Sequence, residues 1–187
     1  RDEFVRLGDE LGKGGDVARK LVEWHLETSA SPARAEALRG ALERFVAEGA
    51  NTEAIQVALD LVRTKAADTA LAEQLEKLAL QEKDLDALSV AHDLLVRELT
   101  GPSRAEEMVR QAEVLRRAGA AAEDALQQGE QGLSSVAPDE VEPLLERLAG
   151  LAEDDGQVIG LYERQVMRCK SPGDRLLALA RAAEVAA

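Results

Sequence analysis

Four of the five prolines, at positions 32, 102, 138 and 172, stand 70, 36 and 34 residues apart. A period of about 35 residues therefore runs through the chain if one unit starts without its proline. Proline is accepted at the first position of a helix, where its missing N–H has no partner to lose. A helix start recurring at this spacing predicts helix pairs of about 34 residues, units that cannot bury their apolar faces alone and must stack on neighbours. The chain is thereby committed to an all-α array.

The composition agrees. Hydrophobic residues make up 45% of the 187 positions but aromatics only 2%, so cohesion has to come from Leu, Val, Ile and Ala packed helix on helix. No alternating β-branched run suggests a strand. The formal charge is −13. It divides into −2 over residues 1–65, −7 over 66–137 and −4 over 138–187, with no basic stretch anywhere. A polyanion would be repelled, because nucleic-acid affinity rests on Lys and Arg neutralising phosphates. Nucleic acid and anionic membrane are thus set aside; a basic protein partner suits the field, and acidity also serves solubility. Cys169 is the single cysteine, which rules out an internal disulfide and fits a reducing compartment, so a cytoplasmic location is expected. No run of 18 apolar residues occurs. Arg1 at the start and the helical pattern of Leu176 to Ala187 at the end read as cuts through a longer protein.

Along the chain, Phe4, Leu7 and Leu11 share a face, and Gly12 to Gly15 make a turn from which Asp16 caps a helix carrying Val17, Leu21 and Trp24. Ser31 and Pro32 open the next helix, with Leu38, Leu42 and Phe45 inward and an end near Gly49; Asn51 or Thr52 starts its partner, with Ile55, Ala58, Leu59 and Val62 inward. A third pair begins near Asp68 with Leu71, Leu75 and Leu78, turns at Lys83-Asp84, and continues through Leu85, Leu88, Ala91, Leu95 and Leu99. Gly101 then suits a C-cap and Pro102 a new start, with Ala105, Val109, Ala112 and Leu115 inward up to Gly119. The helix from Ala122 to about Leu133 has the weakest apolar stripe, Ala125, Leu126 and Gly129, and local looseness is expected there. Pro138 opens a helix lined by Leu144, Leu145, Leu148 and Leu151, in which Pro143 is tolerated or kinks the axis. Asp154-Asp155-Gly156 turns into Val158, Leu161, Tyr162, Val166 and Met167, and Ser171-Pro172 starts a last helix.

Period, helix pairs, junction prolines and the stretch Gly156 to Pro172 containing Leu161-Tyr162-Glu163-Arg164 together resemble a tetratricopeptide-repeat protein. The match is degenerate: the family's aromatics are mostly Leu or Ala here, and units reach 36 residues, as from Ala66 to Gly101. The resemblance implies an α-solenoid, a right-handed superhelix of about five antiparallel helix pairs in one domain over 1–187. Its units would be 1–31, 32–65, 66–101, 102–137, 138–171 and a partial 172–187. It also implies a non-enzymatic scaffold that binds a protein or peptide along the first helix of each pair, where helical phase nominates Arg39, Gln74, Arg110 and Arg147. The family's peptide-gripping basic pattern has no counterpart in these residues. A structural spacer or self-assembly segment is the alternative, since aromatic anchors are scarce, and a regulatory domain attached to an enzyme is a remote one. The Arg-over-Lys bias and Ala richness resemble large repeat proteins of GC-rich bacteria.

No chemistry-bearing pattern competes. His25 and His92 are 67 residues apart, unsuited to a shared helix-borne metal pair. Cys169 lies beside Lys170 near a helix C-terminus, the wrong end of the dipole for a thiolate, and is expected to be a buried small residue. Gly12-Lys13-Gly14-Gly15 lacks the spacing of a phosphate loop, and Asp154-Asp155-Gly156 lacks the alternating ligands of a calcium loop. No catalytic residue, cofactor or metal is expected.

Overall fold

The computed structural model describes residues 2–26, 32–64, 67–134, 136–169 and 171–185, with the backbone alone at 2, 9, 24–26, 32, 138, 139, 174, 177 and 185. The expected cap Ser31, the side chains of Trp24 and His25, and Lys170 lie outside the described residues. Among the described residues the chain is all-helical. Two compact units divide it, residues 1–94 and 95–187.

The first unit holds α1 (Asp2–Glu10), α2 (Gly14–Leu26), α3 (Pro32–Glu48), α4 (Asn51–Arg63), α5 (Thr69–Glu82) and most of α6 (Leu85–Val96). Successive helices pack in chain order from α1 to α5. Short turns, Gly49-Ala50 and Lys83-Asp84, reverse the chain into helical hairpins. The core is aliphatic: Leu38, Ile55, Leu61, Leu71, Leu75 and Leu88 are its largest fully buried side chains. Two aspartates start helices by accepting backbone N–H bonds three residues on, Asp68 from Leu71 at 2.8 Å and Asp84 from Ala87 at 3.0 Å.

The second unit holds the end of α6, then α7 (Gly101–Ala118), α8 (Ala122–Leu133), α9 (Pro138–Ala149), α10 (Asp155–Arg168) and α11 (Pro172–Val185). Here α7 touches both α8 and α9, and α10 packs on α9 and α11. Leu126, Leu133, Leu145, Leu148 and Leu161 build the core with Tyr162. Gly119 closes α7 in the left-handed region at φ 95°, where a side chain would be strained. Asp154 caps α10 by accepting from the N–H of Gln157 at 2.8 Å.

Several boundaries differ from the sequence reading. Helix α2 begins at Gly14, so Asp16 lies inside its first turn and pairs with Arg19 instead of capping. Helix α6 stops at Val96, whose carbonyl accepts from Arg104, which leaves Leu99 beyond the helix. Gly101 is the first residue of α7 and not the C-cap of α6, because Thr100 holds the extended N-cap geometry. The face shared by Phe4, Leu7 and Leu11 is exposed, and so is Met167. On α4 the buried stripe is Ala54, Ile55, Val57, Ala58 and Leu61, with Leu59 and Val62 only half-buried. Helix α9 continues through Pro143, which is exposed. Helix α8 compensates for its sparse stripe by proximity: Gly129 faces the Leu148 side chain, and Gly132 lies against Ala105 and Met108.

Candidate functional site

The four nominated residues fall on alternate helices: Arg39 on α3, Gln74 on α5, Arg110 on α7 and Arg147 on α9. The three guanidinium groups are engaged within the fold. Arg39 reaches Asp68 at 2.9 Å, and Arg110 forks onto Glu107 of its own helix at 2.7 and 2.8 Å. Arg147 bridges α9 to α7, donating to Glu113 at 2.8 Å and to Glu106. The bond to Glu113 and then that to Glu106 hold Arg147 above the usual guanidinium range against the cost of its partial burial. Gln74 is half-buried. Arg110 and Arg147 both lie in the second unit, where each meets carboxylates of α7.

A second ion pair shares the spacing of Arg147 with Glu113. Arg164 on α10 forks onto Glu130 on α8, with Nε 2.9 Å from each carboxylate oxygen, again 34 residues apart. In the first unit Arg19 on α2 lies 3.8 Å from Glu53 on α4, also separated by 34 positions. Each pair links a helix to the next but one.

Hollows open along the same seams. Between α2 and α4 lies one of about 310 Å³, floored by Phe45 and Val57 and walled by Arg19, Val22, Glu23 and Glu53. Between α8 and α10 lies one of about 540 Å³, where Glu123, Leu126 and Gln127 face Gly156 and Gln157, with Arg164 and Glu130 beyond. Adding 104 to Arg19, Val22, Glu23, Thr52 and Glu53 gives the numbers of those five facing residues. The two hollows therefore occupy one register, yet differ in chemistry: the first exposes carbon almost exclusively, the second more polar than apolar surface. A third, of about 430 Å³, lies between α7 and α9 at Pro102, Glu106 and Pro143.

The remaining candidates are internal. His92 is buried, its Nε2 3.0 Å from Glu76 Oε1 across α5 and α6. Cys169 is buried at the end of α10, as expected of it. The N-terminus of α2 is occupied from within, since the N–H of Gly15 donates to the Glu48 carboxylate. A side chain at Gly14 or Gly15 would collide with that carboxylate. Among the described residues no cluster of His, Cys, Asp and Glu is placed to hold a metal ion, and no helix is long and apolar enough to cross a membrane.

No family model matches the chain, and no curated protein or solved structure matches it significantly. Helical phase places Phe45 in the core and passes over Val22 and Gln56 altogether. The signal that could have found them is the pairing of positions 34 apart, which sets Val22 against Gln56 and Arg19 against Glu53.

Proposed function

We propose that this chain is a non-catalytic, tetratricopeptide-like helical-repeat scaffold that docks a protein partner. The observation that carries the reading is the recurrence of one inter-helix hollow 104 residues along the chain, which is three units of about 35 residues. The ion pairs at 34-residue spacing support it independently. Repeat scaffolds present such recurring surfaces to partners, and an acidic surface favours a basic one. A cytoplasmic location goes with this reading.

Affinity capture from a native lysate, with crosslinking to locate the contact, tests it. An enriched partner crosslinked to the helical surface is the expected result. No partner for a folded, monomeric chain would overturn it. Unchanged capture by the Arg110→Glu, Arg147→Glu double variant would remove those two residues from the contact.

Exposed Phe4 and Leu7 on α1, and Leu176 and Leu179 on α11, favour a second reading, a segment that self-assembles end to end. Sedimentation that stays monomeric with rising concentration would dismiss it.

A further inference from the structure

The hollow between α2 and α4 is the one whose walls specify an occupant. We propose that it docks the apolar face of a basic amphipathic helix from another protein, an inference that rests on the scaffold reading and names its partner's chemistry.

Buried Phe45 and Val57 form the floor, half-buried Val22 one wall, and Thr52 with the aliphatic stems of Arg19, Glu23, Glu53 and Gln56 completes the lining. A carbon wall offers nothing to the N–H and C=O groups of an extended peptide, which would be desolvated without partners. The occupant must therefore satisfy its own backbone, as a helix does. A hollow of about 310 Å³ accepts a pair of anchors spaced i, i+3 or i+4 along such a helix.

Charge selects a basic one. The rim cations are already matched: Arg19 lies 3.0 Å from Asp16, and Lys20 lies 2.6 Å from Glu23. Glu53 shares Arg19 at 3.8 Å, which leaves the rim one carboxylate in excess, and residues 1–94 carry 12 basic against 19 acidic side chains, a net −7. That field steers cations inward. A second copy of the chain, at −13, brings a net acidic surface and not the basic one this rim favours. In the hollow of the same register in the second unit, Leu126 is buried and Glu130, Asp154 and Arg164 are polar, so it takes no apolar anchor.

The test is fluorescence anisotropy with the whole 187-residue chain and a labelled synthetic helix of leucine and lysine, its leucines on one face. Micromolar binding is expected, weakened at least ~10-fold, or about 1.4 kcal/mol, when glutamine replaces the leucines or glutamate the lysines. Val22→Glu adds negative charge, so mere attraction to an acidic surface would tighten binding, whereas docking in the hollow predicts at least ~10-fold weakening. Gln56→Trp fills the hollow without changing charge and should weaken binding alike, with circular dichroism reporting the fold. Met167→Glu, in the other unit, should leave binding unchanged. Undiminished binding by Val22→Glu and Gln56→Trp, equal affinity for the glutamate peptide, no binding by the native chain, or a dimer abolished by Val22→Glu would each overturn the proposal. If it fails while a lysate partner is still captured at another face, the scaffold reading stands without this groove.

Discussion

Arg164 clamps the buried carboxylate of Glu130 across two helices, and Arg168 adds a bond to the Glu130 backbone carbonyl at 3.2 Å. The hydrogen bond to Glu130, and then its charge, hold Arg164 above the usual guanidinium range. Arg164→Ala strips a buried acid of its main partner and should cost about 1–3 kcal/mol. The Arg164→Ala, Glu130→Gln double variant should lose less than the two single losses summed, a coupling read from a double-mutant cycle in urea.

Asp68 should give acid sensitivity to α5. The N–H of Leu71, followed by Arg39, holds its carboxyl below the ordinary aspartate value. A depressed folded pKa stabilises above the unfolded value and loses that contribution as pH falls through the folded one, so the loss belongs to the range below about pH 4. Asp68→Ala should cost about 1 kcal/mol at neutral pH. Asp68→Asn keeps a cap and should flatten this part of the stability profile, measured by thermal unfolding between acid and neutral pH.

Glycine-to-alanine changes should split by contact. A Cβ on Gly132 would lie 3.0 Å from the Ala105 backbone and from Met108 Cβ, neither free to withdraw. Overpacking of about 1–3 kcal/mol outweighs the gain of about 1 kcal/mol in helix propensity, so Gly132→Ala should destabilise. At Gly40 the Cβ meets only the end of Arg44, at 3.4 Å. Gly40→Ala should stabilise by about 0.5–1 kcal/mol, and urea unfolding compares the pair.

Cys169 should resist thiol reagents in the folded chain, because its side chain is buried and its carbonyl is tied to Arg175 at 2.8 Å. Labelling should accelerate to the rate of a free thiol in denaturant, which a colorimetric thiol assay follows.

The helices and many of their starts were legible because they follow from local chemistry: prolines at helix starts, a start near Asp68, a turn at Asp154 to Gly156, and leucines recurring with the helical period; that Asp68 and Asp154 are the caps came from the structure. Helix ends were less so. Leu99 continues the apolar pattern of α6, but its N–H turns back three residues to the Val96 carbonyl, which also accepts from Arg104 of the next helix. Asp16 has the composition of a cap, yet Glu48 from α3 already serves the N-terminus of α2.

What the sequence by itself determined was an all-α chain, the spacing of its prolines and the absence of basic stretches, since these depend on residues near one another or on composition. Only the tertiary structure decided that Arg147 is engaged by Glu106 and Glu113, and that Phe45, Val22 and Val57 meet in an open apolar hollow. Those partners come from separate helices, and helical phase alone leaves undecided which of several compatible faces will meet until packing brings them together.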